Sequence, residues 1–177
     1  MAENTTIGRL HEPGMITLRC DLAAPDVREC LATATGLEVP SPGAIVSNKD
    51  HSVAWMSPDE LLLILDRDDL PDRMETLEAE LSATASLVVD TSSMRTIFCI
   101  SGPDMRDVLA HETPVNLAPE AFGSGTFRRT RFGQVAASLW MTTDGEARLV
   151  CRSSESGYVE DLLRASAAGP RVGYLAS

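Results

Sequence analysis

Lysine is almost missing from this chain: of 15 basic residues only Lys49 is a lysine, against 26 acidic side chains and a net charge of −11. So acidic a protein has little attraction for duplex nucleic acid or an anionic membrane, and neither is expected as a partner. Aromatic residues make up only 5%. Four cysteines, Cys20, Cys30, Cys99 and Cys151, and three histidines, His11, His51 and His111, lie far apart without metal-ligand spacing or a C-x-x-C pair. Cys99 and Cys151 fall in apolar strand-like stretches and Cys30 on a helical stripe, so buried, inert thiols are expected. No apolar run approaches the ~20 residues of a membrane span; the densest, Leu61 to Leu65, is strand-sized. The stretch from Met1 to Gly14 is polar, so a cytoplasmic protein is expected. There is no G-x-G-x-x-G, and Gly123-Ser124-Gly125 lacks the strand-then-helix context of a phosphate cradle.

What is present is a globular composition, 44% hydrophobic and 23% charged, in a chain of 177 residues. That length can bury roughly 70% of its unfolded surface without a disulfide or metal. The charge is lopsided: residues 1–90 hold the whole net −11, and residues 91–177 are neutral.

Four helices follow from 3.6-residue periodicity. Val27, Cys30, Leu31 and Ala34 follow Pro25-Asp26 and stop at Gly36; Leu70, Met74, Leu77 and Leu81 form a second stripe. Met105, Val108 and Leu109 follow Pro103-Asp104, and Val159, Leu162 and Leu163 follow Ser156. Strands are expected at Met15–Asp21, Ala44–Ser47, Ser52–Met56, Leu61–Leu65, Ser86–Asp90, Arg95–Ser101, Thr126–Thr130, Gln134–Met141 and Ala147–Arg152. Ser57-Pro58-Asp59-Glu60 has capping-box chemistry, but the unbroken apolar run after it reads as a tight turn and a buried strand.

Two echoes recur in order. Pro25 to Ala32 and Pro103 to Ala110 share five of eight residues, and Trp55-Met56-Ser57 echoes Trp140-Met141-Thr142. An internal duplication is expected, with β-β-α-β-β-β-α halves at about residues 15–85 and 86–168 and the first strand of copy one indistinct. The fold class is therefore α+β, mostly antiparallel sheets with helices packed on one side. Residues 1–14 are expected to be a flexible lead, 15–168 a single duplicated domain and 169–177 a tail. Both tryptophans are expected to occupy equivalent, packed positions.

Candidate chemistry is sparse. The acidic pairs Asp59-Glu60 and Asp68-Asp69 suit turns and solvated surface better than acid–base work. Arg128, Arg129 and Arg131 form the one concentrated basic patch, with Arg128 and Thr130 facing one way and Arg129 and Arg131 the other on a strand. Such a patch either guards a strand edge or anchors a partner's carboxylates through the planar guanidinium fork.

Val53-Ala54-Trp55-Met56-Ser57-Pro58-Asp59-Glu60 with Leu61–Leu65, Val88-Val89-Asp90-Thr91-Ser92, Ile100-Ser101-Gly102-Pro103-Asp104 and Thr113-Pro114-Val115-Asn116-Leu117 together resemble the gamma subunits of heterotetrameric sarcosine oxidases. Phe127 to Ala136 is the most specific of these stretches. The family is related to the folate-binding fold of glycine-cleavage aminomethyltransferases, and Asp90-Thr91-Ser92 with Ser101-Gly102-Pro103-Asp104 is similar to their D-x-S…S-G-P-D pattern. Where those enzymes carry a working carboxylate after a Gly-Gly-Val motif, this chain has Gly133-Gln134-Val135-Ala136-Ala137-Ser138, with no acid. The resemblance implies a non-catalytic subunit of a complex that demethylates sarcosine to glycine, with hydrogen peroxide and methylene-tetrahydrofolate as products. It implies alpha, beta and delta partner chains holding FAD, FMN, NAD, zinc and tetrahydrofolate, and no catalytic, cofactor or metal residue here. A sibling complex acting on another N-methyl amino acid, or a stand-alone folate-dependent aminomethyl or formyl transferase, are the alternatives.

Overall fold

The computed structural model describes residues 5–170. In chain order it contains β1 (Thr6–Arg9), β2 (Gly14–Arg19), α1 (Pro25–Thr35), β3 (Ile45–Ser47), β4 (Ser52–Ser57), β5 (Glu60–Leu65) and α2 (Leu70–Glu80). There follow β6 (Leu87–Asp90), β7 (Arg95–Ser101), α3 (Met105–Ala110), β8 (Phe127–Phe132), β9 (Val135–Thr143), β10 (Glu146–Arg152) and α4 (Ser156–Ala168). Both runs read β-β-α-β-β-β-α.

The chain divides into two compact units, His11–Ser93 and Met1–Leu10 together with Met94–Ser177. The first holds an antiparallel sheet in the order β3-β4-β5-β2-β6, the second one in the order β8-β9-β10-β7-β1. The two orders correspond strand for strand. The leading strand of each run has crossed into the sheet of the other: β1 pairs with β7, and β6 pairs with β2. The lead expected to be flexible over residues 1–14 thus contains a four-residue edge strand and the start of β2. It escapes periodicity because only Ile7 of Thr6–Arg9 is even half-buried. Residues 171–177 of the expected tail, and residues 1–4, lie outside the described residues.

In the first unit, Val27, Cys30, Leu31 and Ala34 of α1 and Leu70 and Leu77 of α2 pack on Ile16, Leu18, Val53, Leu61, Leu63 and Leu65. Leu62 is buried as well, on the opposite face of β5, and this is why Leu61–Leu65 shows no alternation. The residues at 58 and 59 form a two-residue hairpin turn between β4 and β5. Pro25 sits in the first turn of α1, where a missing N–H costs nothing. Gly36 closes that helix at φ 71°, donating its N–H to Ala32 O at 2.8 Å, a left-handed cap that suits glycine.

In the second unit, Met105 and Leu109 of α3 and Val159 and Leu163 of α4 pack on Phe98, Ile100, Ala137, Leu139, Met141, Leu149 and Cys151. β1 is tied to α4 by Arg9, which donates to Glu160 Oε2 at 2.6 Å and lies 5.3 Å from the centre of the Phe98 ring. Glu160 also accepts from Arg164 at 2.7 Å.

The tryptophan echo is corrected by one residue. Trp55 stands opposite Leu61 and packs on the helix side, whereas Trp140 stands opposite Arg148 on the other face, stacked at 5.8 Å and 37° on Phe127. Met141, opposite Ala147, has the place that corresponds to Trp55. Side chains alternate with period two, so a one-residue slip reverses the face. Both hairpins carry a register irregularity at this point.

Hydrogen bonds from Arg164 and Arg9 hold the Glu160 carboxyl below the ordinary carboxylate range. A carboxyl depressed in the folded state stabilises above its unfolded pKa, and that contribution is lost as pH falls through the folded value. The Asp26 and Asp59 carboxyls are lowered too, by their bonds to Thr84 and Ser57. The melting temperature is therefore expected to fall from about pH 4 downward, where carboxylates begin to protonate. Glu160→Gln should flatten part of that fall while lowering the melting temperature near neutrality. A melting temperature independent of pH between about 5 and 3 would contradict this linkage.

Candidate partner interface

The β8–β9 hairpin closes through Gly133 and Gln134, with Phe132 opposite Val135. Gly133 has φ 56° at the first loop position, and its N–H donates to Glu112 O at 2.8 Å. The Gln134 N–H donates to the Tyr158 hydroxyl at 3.3 Å. β8 is an outer strand of its sheet.

Arg128, Arg129 and Arg131 are all exposed on that edge strand. Arg128 stands opposite Leu139 on the helix side, while Arg129 and Arg131 stand opposite Ser138 and Ala136 on the other face. The Arg128 guanidinium donates to Phe127 O at 2.9 Å and that of Arg131 to Gly133 O at 3.2 Å. Charge on an outer strand discourages uncontrolled strand pairing.

Ala137 and Ser138 are 6% and 4% exposed in the middle of β9. Ala137 packs in the helix-side core and Ser138 lies between Arg129 and Val150. Neither offers a base. Burial pushes the Cys20 and Cys151 thiols up to about 11 and raises those of Cys30 and Cys99 as well. A thiol so far above neutrality is a poor nucleophile. Among the described residues, no three His, Cys, Asp or Glu side chains gather into a metal-binding group.

The acidic pairs serve turns. Asp59 accepts from Ser57 Oγ at 2.6 Å and from Arg19 at 3.2 Å, and the Asp68 N–H donates to Asp66. A shallow cleft of about 570 Å³ runs past Arg19, Cys20, Asp59 and Leu87 in the first unit. Its one large apolar group, Leu87, is 52% exposed.

Asp90-Thr91-Ser92 acts as a staple. The Asp90 carboxylate accepts from the Ser92 N–H at 2.9 Å and the Ser92 hydroxyl at 2.5 Å. Met15 N–H donates to Ser92 Oγ at 2.8 Å, and Thr91 N–H donates to Met15 O at 2.8 Å. The Thr91 and Thr17 hydroxyls are hydrogen-bonded at 3.2 Å. Burial works upward on the Asp90 carboxyl, but the bonds from Ser92 and the charge of Arg67 together outweigh it and hold its pKa low. Removing the hydroxyl in Ser92→Ala leaves Met15 N–H without its acceptor and is expected to cost about 1–2 kcal/mol. Urea denaturation followed by circular dichroism checks this, and an unchanged midpoint would show that the staple adds no stability.

The family model for the sarcosine oxidase gamma subunit family matches residues 19–169. Sarcosine oxidase subunit gamma of Corynebacterium sp. strain U-96 is 30% identical over 126 residues, covering 70% of this chain and 60% of that protein. The subunit of Corynebacterium sp. strain P-1 is 32% identical over 130 residues, covering 70% and 61%. The match thus spans about 60% of the length of these curated relatives. The heterotetrameric sarcosine oxidase of Corynebacterium sp. U-96, solved with pyrrole 2-carboxylate, contains a chain that superposes with a TM-score of 0.86 at 25% identity, covering 93% of this chain and 84% of that one. Aminomethyltransferase T of the Bartonella henselae glycine cleavage system superposes at 0.67 and 12% identity, covering 90% and 45%, which is a likeness of fold.

Proposed function

Because this chain belongs to the sarcosine oxidase gamma subunit family, we propose that it is a non-catalytic structural subunit of a multi-chain flavoenzyme of the sarcosine oxidase type. The reaction of that complex is the oxidative demethylation of sarcosine to glycine, giving hydrogen peroxide and methylene-tetrahydrofolate. Alpha, beta and delta chains are its partners in the cytoplasm, and they hold the FAD, FMN, NAD, zinc and tetrahydrofolate. The observation that carries this reading is the superposition at 0.86 on a chain of a solved heterotetrameric sarcosine oxidase. The residues of this chain support a structural role: the D-x-S segment is spent on a staple, and Ala137 and Ser138 offer no base. Contact with the partner chains includes the exposed β8 with Arg128, Arg129 and Arg131.

The test is purification of the tagged full chain from its native cells. Flavin absorbance and sarcosine-dependent peroxide formation should co-elute with it, while the isolated chain shows neither. Peroxide formation from sarcosine by the isolated chain would overturn the structural role. Tetrahydrofolate binding to the isolated chain at micromolar concentration, measured by calorimetry, would favour a folate-dependent transferase instead.

A further inference from the structure

Antiparallel strands exchange hydrogen bonds at every second residue, and the residues between turn their N–H and C=O to the other side. In the first unit β2 lies between β5 and β6, and its bonds fix which groups of β6 point outward. Cys20 N–H donates to Asp59 O at 3.0 Å, in register with the β5 side, and Thr91 N–H donates to Met15 O at 2.8 Å, in register with the β6 side. Even-numbered residues of β2 therefore bond to β5 and odd-numbered ones to β6. Leu87 and Val89, opposite Arg19 and Thr17, bond inward. Val88 and Asp90, opposite Leu18 and Ile16, turn their backbone groups out from the sheet edge. β6 is an outer strand, and among the described residues no backbone hydrogen bond meets Val88 or Asp90 on that side.

Outer strands are ordinarily protected by charge, by shortness or by a covering chain. β8 carries Arg128, Arg129 and Arg131, β1 ends on Arg9, which is tied to Glu160, and β3 is three residues long. β6 instead opens with the uncharged aliphatic run Leu87-Val88-Val89. Val88 packs toward the helix-side core, so Leu87 faces the opposite way, and it is 52% exposed. The cleft of about 570 Å³ opens beside the start of this strand, lined by Ser86 and Leu87 on one side and by Asp21, Pro58 and Asp59 on the other. Open backbone groups next to an exposed leucine and a cleft are what an added strand uses: main-chain bonds hold it, and the cleft selects alternate side chains.

We propose that the outer edge of β6 takes an extended, basic segment of a partner subunit as a further strand of its sheet, with an apolar side chain of that segment against Leu87. The proposal rests on the subunit reading above and goes beyond it by naming the edge and the kind of chain that pairs there. The sign of the occupant follows from the field of the unit, since residues 11–93 hold 16 acidic and 5 basic side chains. The carboxylates nearest the edge are already bound, Asp59 by Arg19 and Asp90 by Ser92. The attraction therefore comes from the summed charge, which steers a basic chain to this unit and speeds its docking. A second copy of this chain brings the same edge with the same charge and is repelled.

The experiment compares the purified flavin-containing complex with the isolated full chain by hydrogen exchange at single-residue resolution. The Val88 and Asp90 amides should exchange at least tenfold more slowly in the complex, while those of Leu87 and Val89, bonded to β2, are protected in both. Tagged variants expressed in the native cells in place of the wild type give a second reading, scored by the fraction of chain that co-elutes with flavin. Val88→Pro deletes one outward N–H and leaves the ladder to β2 in place. Leu87→Arg and Leu87→Glu change an exposed side chain, and circular dichroism checks that each fold is kept. Leu87→Arg and Val88→Pro should lower the co-eluting fraction at least tenfold, and Leu87→Glu should lower it less. Fast exchange of Val88 and Asp90 in the complex, or full assembly of the folded Leu87→Arg chain, overturns the proposal and leaves the subunit reading intact. A greater loss with Leu87→Glu than with Leu87→Arg overturns it as well, because the occupant is then not basic. Absence of the wild-type chain from any flavin-containing complex overturns both readings. Slow exchange of Val88 in the isolated chain that is lost on dilution assigns the edge to a second copy, and slow exchange lost on removal of residues 171–177 assigns it to the chain's own end; either result overturns the proposal.

Discussion

Arg106→Met is expected to lower the unfolding free energy by about 2–4 kcal/mol, since hydrogen bonds from a charged donor contribute about 1.5–3 kcal/mol each. One guanidinium nitrogen of Arg106 donates to Leu117 O at 2.6 Å and to Phe122 O at 2.9 Å. Those carbonyls belong to the irregular stretch between α3 and β8, which also carries the Thr113-Pro114-Val115-Asn116-Leu117 motif. Leu117 and Phe122 are fully buried, so this loop supplies part of the core. A connection of that length without helix or strand needs its own anchors. Burial draws the Arg106 pKa down from its ordinary value, yet an arginine remains charged in any protein. Methionine keeps the apolar stem and deletes the donor, so the measured loss reports the clamp and not the packing. Urea denaturation of the purified chain checks it. A loss below about 0.5 kcal/mol, the scale of an ordinary surface substitution, would show that Leu117 and Phe122 hold the loop by packing alone.

Gly133→Ala is expected to cost about 2–3 kcal/mol, from a left-handed backbone and from crowding. A Cβ at this position overlaps Leu162 Cδ1 and lies 2.7 Å from the Tyr158 hydroxyl oxygen. Both neighbours are ends of side chains on α4 and can swing aside, but moving Tyr158 breaks its bond from the Gln134 N–H. The φ of 56° is strained for alanine wherever those side chains go. The melting temperature should drop by roughly 5–10 °C, at 2–4 °C per kcal/mol for a chain of this size. An unchanged melting temperature would show that the hairpin relaxes to another turn. The same variant should weaken assembly as well, because this turn sets where Arg129 and Arg131 stand.

Much of the fold is legible where the sequence is locally repetitive. The stripe Val27, Cys30, Leu31 and Ala34 and its counterpart Met105, Val108 and Leu109 are buried, and the Leu61–Leu65 run is a strand covered on both faces. What escapes is what depends on pairing between distant segments. β1 carries too few apolar residues to show a period, and its place is set by β7. Trp140 looks like the partner of Trp55 until the register reverses its face. The same limit applies to the candidate interface. Arg128, Arg129 and Arg131 are conspicuous because they are neighbours in sequence, whereas their place on an outer strand follows only from the pairing of β8 with β9. Likewise Arg106 has no recognisable signal in its own segment, since its acceptors lie more than ten residues away.

Native mass spectrometry of the tagged full chain, purified at low salt from its own cells, tests the central claim most directly. The account predicts a single assembly in which one copy of this chain is bound with alpha, beta and delta chains and their flavins. A spectrum showing only the free chain or its homo-oligomers, with every flavin-bearing protein elsewhere, would contradict it.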